Sequence, residues 1–322
     1  MEQILQTEKK RIVNLRFQPR DAAILEAIYH HDGVVARRHL KYLFWNDKSW
    51  RAMERRLSFL KSQDYIQWPT LEQRKVHPIP EPIIWLGWKG AHYLAGISDL
   101  SVDEPKNTNE NQMREWQKQL RRKGFHWLRE PRWSNLKHDL TITDIRFWVN
   151  TSLKKIPNLV MEEWIKESSF RIQTDFVDYK VKSRDGEWVT MRKGVIPDGF
   201  FSIVDKERKA KGEPSRARFL LELDMASHDN PSFGMEKSAP GVAYIKSPQY
   251  KTRFESNVGK WLVVTTGGVR MRNLMIQTKE RVGNEANTFY FTTLDHMGRD
   301  NFFLDPIWQH PLSNSSQRLI VV

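Results

Sequence analysis

The sequence predicts a mixed α/β protein that is built from two domains. Residues 19–64 contain three short segments with apolar residues at helical spacing. From residue 138 onwards, helical stretches alternate with strand-like apolar runs, which is the pattern of a sheet with helices on both faces. The chain has 322 residues, with thirteen Trp and sixteen Phe, so it is long enough and apolar enough to form two modest cores.

Residues 1–97 are predicted to form a winged helix-turn-helix domain. Its helices are predicted in "PRDAAILEAIYHH", "ARRHLKYLFW" and "SWRAMERRLSFLKSQDYI", with Pro19 in the first turn of the first helix and Ser49 as the N-cap of the third. Two strands, "YIQW" (65–68) and "PIIWLGW" (82–88), are predicted to form the ribbon, and "KGAHYLAG" a small helix after it. The third helix of such a domain enters the major groove of DNA, although the same arrangement also serves protein contacts.

The third helix provides the first candidate DNA contacts. We predict that Trp50, Met53, Leu57 and Leu60 form its buried stripe, and that Leu40 and Leu43 of the second helix point inward. The basic residues on or beside the third helix are then expected to be exposed and to bind DNA. They are Arg51, Arg55, Arg56 and Lys61.

A polar segment, "SDLSVDEPKNTNENQM" (98–113), has no periodicity and is predicted to be a linker. The second domain is predicted to span residues 114–322 and to begin with the basic helical segment "REWQKQLRRKGFHWLRE". This segment adds Arg121, Arg122 and Lys123 to the candidate DNA-binding residues.

The net charge of +13 favours a polyanionic partner. Residues 1–96, 114–137 and 235–282 each carry six more basic than acidic side chains. Double-stranded DNA is the natural partner, because each Lys or Arg at a phosphate releases condensed counterions; a solvated basic surface is the alternative. The chain has no Cys, no signal-peptide pattern and no apolar run near the roughly 18 residues of a membrane span, so we expect a cytoplasmic protein without membrane contact.

The second domain is predicted to follow the order α-β-β-β-α-β-α-β. The predicted elements are the helix "HDLTITDIRFWVNTSL", the strands "VMEEWIKESS", "VIPDGFFSIV" and "RFLLELD", a helical stretch over 235–256 that is broken at Pro240-Gly241 and Pro248, the strand "KWLVVTT", the helix "VRMRNLMIQTKERV" and the strand "TFYFTTL". The continuous apolar run at 260–266 is typical of a strand that is buried on both faces.

Three carboxylates stand at the ends of two predicted neighbouring strands. If 195–203 pairs with 217–224, Asp198 and Glu222 can meet near the sheet edge, and Asp224, two residues after Glu222, projects from the same face. Three converging carboxylates raise each other's pKa values unless a cation joins them, and oxygen ligands favour Mg²⁺ or Mn²⁺. The simpler alternatives are a turn residue at Asp198 and a solvent-exposed strand end at Glu222 and Asp224.

These motifs resemble those of the PD-(D/E)XK nuclease fold. Pro197-Asp198 lies on one strand and Glu222-Leu223-Asp224 on the next, followed by a helix and the apolar strand "WLVVTT". From about residue 19 to 293, the chain is similar to the bacterial replication-relaxation family, which is linked to plasmid replication and DNA relaxation in mobile elements. The matching segments are the N-terminal winged helix, "KHDLTITDIRF", "PDGFF", "FLLELD" and "YIKSPQYKTRFESNVGKWLVVTT".

The resemblance implies a restriction-endonuclease-like α/β sandwich after the winged helix. It implies a divalent-metal-dependent DNA endonuclease or nickase that uses Mg²⁺ or Mn²⁺ and works with other replication, relaxation or transposition proteins. In this resemblance, Asp198, Glu222 and Asp224 are the metal ligands. His138 opens the first helix of the domain, where related nucleases often add a polar group; a helix cap is the alternative for His138 and Asp139.

One position departs from the nuclease motif, because Asp224 stands where a Lys is expected. Lys237 or Lys246, on the following helical stretch, could supply the ammonium group. Alternatively, catalysis is lost and the protein is a non-catalytic DNA-binding accessory factor. A transcription regulator with an α/β sensor domain is a third reading, but it leaves the carboxylates unexplained.

The turn "GGVRMR" (267–272) adds a candidate phosphate site. Arg270 and Arg272 stand at the start of a predicted helix, where backbone N–H groups favour an anion. A plain strand-to-helix turn is the alternative.

Overall fold

The computed structural model describes residues 16–45, 49–182, 185–226, 230–313 and 315–320. The protein is mixed α/β and divides into two compact units, Met1–Leu136 and Lys137–Val322. Among the described residues, no helix combines the length and the apolar composition that crossing a membrane would require.

The first unit contains six helices and a small antiparallel sheet in its described part. Its elements are α1 (Pro19–His30), β1 (Val34–Ala36), α2 (Arg37–Phe44), α3 (Trp50–Ser62), β2 (Ile66–Gln67), α4 (Leu71–Val76), β3 (Ile83–Leu86), α5 (Trp88–Ile97) and α6 (Glu110–Arg122). The strand order is β1-β3-β2. The three predicted helices, the small helix and the two ribbon strands are confirmed, and the Ser49 hydroxyl accepts a hydrogen bond from the Arg51 N–H at 3.2 Å. The sequence did not indicate β1, which is three residues long, or α4, which buries no residue.

The core of the first unit lies where α1, α3 and the small sheet meet. Ile24 and Ile28 of α1 pack in one cluster with Met53 and Leu57 of α3. Two predicted core residues are exposed instead, because they lie at helix ends: Trp50 begins α3, and Leu43 is in the last turn of α2.

The boundary between the units lies after the basic helical segment, not before it. Met113, Trp116 and Leu120 form the buried face of α6, and Phe125 and Trp127 follow it. All five pack into the core of the first unit, so residues 114–136 belong to that unit and not to the second domain, to which the prediction assigned them. The segment 98–113 is therefore an internal connection of the first unit.

The second unit is built around a five-stranded sheet. Its elements are α7 (Leu136–Leu153), β4 (Leu159–Lys166), α8 (Glu167–Ile172), β5 (Asp175–Lys182), β6 (Trp188–Val195), β7 (Gly199–Asp205), α9 (Lys206–Ala210), β8 (Arg216–Asp224), α10 (Asn230–Phe233), α11 (Ala239–Lys246), α12 (Pro248–Phe254), β9 (Lys260–Thr265), α13 (Gly268–Val282) and β10 (Phe289–Thr293). The strand order is β10-β9-β8-β7-β4. β8, β9 and β10 are parallel, whereas β7 is antiparallel to both β8 and β4.

Helices cover both faces of this sheet, as the sequence predicted. Adjacent strand residues point to opposite faces, so Phe201 and Leu221 pack with α7 whereas Phe200 and Leu220 pack with α11, α12 and α13. β9 is buried over Trp261–Thr265, as expected for a strand with helices on both sides.

The helical stretch before β9 is not broken at Pro240-Gly241, contrary to the prediction. A π-helical turn, Gly234–Ser238, leads directly into α11, and Pro240 lies in the first turn of that helix. Gly241 fits there because its backbone approaches the sheet: the Trp261 indole N–H donates to its carbonyl oxygen at 3.1 Å. The helical stretch is interrupted only before Pro248, where the Ser247 hydroxyl caps α12.

The strands β5 and β6 form a separate antiparallel hairpin that the sequence analysis missed. All eight residues of each strand are paired, from Asp175↔Val195 to Lys182↔Trp188. One face of β5 packs on α11, because Tyr179 and Val181 cluster with Ala239. The hairpin lies between α8 and β7 in the chain, so β6 leads almost directly to Asp198.

Candidate functional site

Four side chains from four segments meet at the ends of β7 and β8 in the second unit. They are His138 in α7, Asp198 just before β7, Glu222 in β8 and Lys237 in the π-helical turn. His138 Nε2 lies 3.2 Å from Asp198 Oδ2, and Lys237 Nζ lies 2.5 Å from Glu222 Oε1. We call these four residues the carboxylate cluster.

The register of β7 and β8 positions the two carboxylates. Gly199 pairs with Leu221, which brings Asp198 opposite Glu222, as the predicted strand pairing requires. The Asp198 N–H donates to the Leu221 carbonyl at 3.0 Å, and the Leu223 N–H donates to Asp198 Oδ2 at 2.7 Å. Asp198 and Glu222 are only 7% and 6% exposed, so neither is a solvated turn or strand-end residue.

His138 and Asp198 hold each other in their charged forms. Burial alone lowers the pKa of His138, but the nearby carboxylates of Asp139 and Asp198 outweigh burial and raise it to about 10. Burial alone raises the pKa of Asp198, yet the hydrogen bond and charge of His138 bring it below its usual value. His138 is therefore an imidazolium at neutral pH. Asp139 serves as its second carboxylate partner, at 3.6 Å.

Glu222, which is buried, and Lys237, which is half-buried, form the second pair. Burial raises the pKa of Glu222 to about 7 despite the opposing charge of Lys237. Burial alone lowers the pKa of Lys237, but the charges of Glu222 and Asp198 raise it above its usual value, so it remains an ammonium. Glu222 Oε2 is buried and makes no hydrogen bond. An unsatisfied buried carboxylate oxygen is costly, and it is available to a ligand.

Asp224 does not join the carboxylate cluster, so the prediction of a three-carboxylate metal site is wrong. Asp224 Oδ2 accepts from the Thr265 hydroxyl at 2.7 Å, and Arg270 donates to both of its oxygens at 2.8 Å. Burial alone raises the pKa of Asp224, but these bonds bring it below its usual value. Over the described ranges, no three His, Asp or Glu side chains form a group that could hold a metal ion.

The other candidates of the second unit divide between the cluster and the surface. The structure brings Lys237 and His138 to the carboxylates but not Lys246, whose ammonium pairs with exposed Glu285. Arg270, predicted to bind phosphate, is committed to Asp224, which leaves Arg272 as the exposed cation of that turn.

The four basic residues predicted on α3 have three different environments. Arg51 and Arg55 are exposed, as predicted. Lys61 is half-buried, with its ammonium 4.8 Å from the centre of the Trp68 ring. Arg56 is buried, and its Nε donates to Asp21 Oδ1 at 2.6 Å, so the prediction that it is exposed is wrong, and its guanidinium is committed to Asp21. It lies three residues after Met53 and therefore points toward α1.

Arg121, Arg122 and Lys123 are exposed at the C-terminal end of α6, as a DNA-binding surface requires. They belong to the first unit, so the basic surface predicted for the second domain is a property of the first.

Sequence reasoning missed Glu167, which begins α8. Glu167 is buried, and its charge adds to those that keep Lys237 protonated. Glu167 lies far from Lys237 in the sequence, which gave no signal of this proximity; only the tertiary fold creates it.

Comparison of the chain with protein-family models, with curated proteins and with solved structures found no match. The carboxylate cluster, which combines two carboxylates with an ammonium and an imidazolium, therefore has to be interpreted from its own chemistry.

Proposed function

We propose that the second unit is a divalent-metal-dependent phosphodiesterase that cuts DNA as an endonuclease or nickase, and that the first unit is a winged-helix DNA-binding domain. The observation that carries this proposal is the contact of Lys237 with Glu222 opposite Asp198. Lys237 supplies from a helical turn the ammonium that the nuclease motif places two residues after the Glu.

The sheet topology supports the same proposal. Asp198 precedes β7, Glu222 lies in its antiparallel neighbour β8, and a helical stretch then leads to the buried parallel strand β9. This is the element order on which the resemblance to the PD-(D/E)XK fold rests. The chemistry still has to be argued from the site, since one fold serves many functions.

The carboxylates present fit a hard cation, although not in the predicted set. Glu222 Oε2 is buried and has no partner, and Asp198 stands opposite it, whereas Asp224 is committed to Arg270. Mg²⁺ is commonly held by one or two carboxylates together with substrate phosphates. Asp198 and Glu222 would hold Mg²⁺ or Mn²⁺, which supplies Lewis-acid polarisation of the phosphodiester when bound.

The chain's own cations would act on the phosphodiester as it gains negative charge. Lys237 is half-buried and protonated, and its ion pair with Glu222 holds its ammonium beside the carboxylates, where it would stabilise that charge. His138, protonated at neutral pH, would donate a proton rather than accept one, and it holds Asp198 in position.

A plasmid assay tests the proposal. We expect the purified chain to nick supercoiled plasmid with Mg²⁺ or Mn²⁺, and Glu222→Gln, Asp198→Asn and Lys237→Met each to lower the rate by about 10²-fold or more. Lys246→Met is the matched control, because Lys246 lies in the exposed pair with Glu285. Nicking that persists in all three cluster variants would show that another site, or a contaminant, cuts the plasmid.

A second candidate function is that of a non-catalytic DNA-binding accessory factor. It is favoured by one observation: Asp198, Glu222 and Asp224 are each paired with a cation of the chain itself. This function requires salt-dependent duplex binding that does not change with EDTA, and no nicking with any divalent cation. Both candidates share DNA as partner, supported by exposed Arg51 and Arg55 and by the net charge of +13.

A further inference from the structure

The outward face of the β5–β6 hairpin carries side chains that have no role in the core. In this antiparallel pair, opposite residues share a face, so Phe176, Asp178 and Lys180 lie on the same side as Arg192 and Trp188. The inner face, with Val177, Tyr179 and Val181, is buried against the rest of the unit. The outward set is exposed.

Two aromatic rings dominate this outward face. Trp188 is 64% exposed and Phe176 is 49% exposed, and they are the most exposed aromatic side chains of the described chain. Phe176 covers Gly194 on the opposite strand, where an added Cβ would come within 3.3 Å of its ring, and the Arg192 guanidinium lies 5.6 Å from the ring centre. Exposed aromatic rings offer flat apolar faces on which nucleic-acid bases can stack.

Cations lie between the two rings. Arg192 and Lys180 are on consecutive rungs of the ladder, between the rung of Phe176 and the rung of Trp188, and the carboxylate on this face is that of Asp178. Aromatic rings interleaved with cations are what a single strand of nucleic acid requires, because its bases stack on the rings and its phosphates meet the cations. A duplex offers no free base faces to such rings.

The hairpin leads to the carboxylate cluster. β6 ends at Val195, and only Ile196 and Pro197 separate it from Asp198. Near the end of β6 that leads to Asp198, Lys193 pairs with Glu236, the neighbour of Lys237, at 3.2 Å. At about 3.3 Å per residue, the outward face extends roughly 20 Å along β6 from Gly194 to Trp188, which is room for several nucleotides.

We propose that the outward face of the β5–β6 hairpin binds an unpaired nucleic-acid strand and guides it to the carboxylate cluster. The proposal rests on the proposed function in taking nucleic acid as the partner of the second unit. Its binding step is independent of cleavage.

Fluorescence anisotropy of the full chain with fluorescein-labelled oligo-dT in EDTA tests the proposal. We expect Trp188→Ala to weaken binding about tenfold through lost base stacking. Lys180→Ala and Arg192→Ala should each reduce the slope of log affinity against log salt by about 0.7, the single-strand value per phosphate contact. Asp178→Asn should tighten binding at low salt, which a purely structural hairpin would not do.

Met191→Ala is the matched control, since Met191 is exposed on the opposite face of the same strand. Equal affinities for the wild type, Trp188→Ala and Met191→Ala would overturn the proposal, as would an unchanged salt slope. Sedimentation tests the competing explanation that β6 pairs with a second copy: a dimer that Trp188→Ala splits without any change in oligonucleotide affinity would also overturn it.

The plasmid assay separates this failure from failure of the proposed function. A chain that nicks plasmid but binds oligo-dT equally well with and without Trp188 contradicts only the hairpin proposal. A chain that loses oligonucleotide binding with Trp188→Ala but never nicks contradicts only the phosphodiesterase proposal.

Discussion

At the scale of single residues, Arg55 and Arg56 show how one helical position changes the role of a side chain. Both were predicted to bind DNA, but Arg55 faces solvent whereas Arg56 is buried against Asp21. Asp21 is completely buried, and the Arg56 guanidinium donates hydrogen bonds to both of its carboxylate oxygens. A buried pair of this kind ties α3 to α1.

We therefore expect Arg56→Ala to destabilise the protein by about 3–5 kcal/mol, because it leaves a buried carboxylate without its partner. Arg51→Ala, an exposed change in the same helix, should alter the free energy of unfolding by less than about 0.5 kcal/mol. Urea denaturation of the three proteins measures this. Equal stability of the Arg56 and Arg51 variants would contradict a stabilising role for the contact between Arg56 and Asp21.

One residue, His138, is expected to make the stability of the protein depend on pH. Its pKa rises from 6.5 to about 10 on folding, so its contribution to stability is complete below pH 6.5 and is lost as the pH rises through about 10. We expect the wild type to lose on the order of a few kcal/mol between pH 8 and 10.5, and His138→Gln to lose less. Urea unfolding at a series of pH values tests this. Parallel stability curves for both proteins would contradict it. Glu222, whose pKa is about 7, titrates mainly below this window.

At the scale of elements, the close approach of α11 to the sheet fixes the π-helical turn that carries Lys237. A Cβ on Gly241 would lie 3.0 Å from the Trp261 indole nitrogen and 3.1 Å from the Phe289 ring. We expect Gly241→Ala to destabilise the protein by about 1–3 kcal/mol through overpacking and to slow any nicking by displacing Lys237.

Gly96 is the control for Gly241, because it also lies in a helix but has open space around its missing Cβ. Gly96→Ala should be neutral or stabilise the protein by about 0.5–1 kcal/mol. Thermal unfolding of both variants separates the packing effect from helix propensity. Similar melting temperatures would mean that α11 can move away from the sheet.

The exposed arginines of α3 are expected to contact duplex DNA. We expect Arg51→Ala and Arg55→Ala to weaken duplex binding and each to reduce its salt slope by about 0.9. Arg208→Ala is the charge-matched control, because Arg208 is an exposed cation of the second unit, where it pairs with Glu213. If affinity and slope stay unchanged, the duplex contacts another surface, and Arg121, Arg122 and Lys123 are the next candidates.

At the scale of the whole molecule, the chain folds as two units whose boundary follows α6 and the segment after it. Trp116, Leu120, Phe125 and Trp127 complete the core of the first unit. We expect a fragment of residues 1–136 to unfold cooperatively and a fragment of residues 1–113 to lack a cooperative transition, because it exposes the core that α6 covers. Circular dichroism melts test this, and cooperative unfolding of the shorter fragment would place the boundary earlier.

Most helices and the five strands of the central sheet could be predicted from the sequence, because apolar periodicity and turn residues are local signals. Ser49, the buried run of β9 and the pairing of β7 with β8 are examples. The hairpin β5–β6 was missed although Val177, Tyr179 and Val181 of β5 alternate with polar residues, which is a local strand signal. The role of α6 was missed because a polar segment before it looked like a domain boundary.

The sequence by itself determined the mixed α/β class, the positions of the central strands and the opposition of Asp198 and Glu222, since each depends on near neighbours or on the pairing of strands adjacent in the chain. Only the tertiary structure decided which cation each carboxylate meets: His138 for Asp198, Lys237 for Glu222 and Arg270 for Asp224. The physical reason is that an ion pair forms where side chains from distant segments are brought within a few ångströms, and spacing along the chain carries no information about that distance.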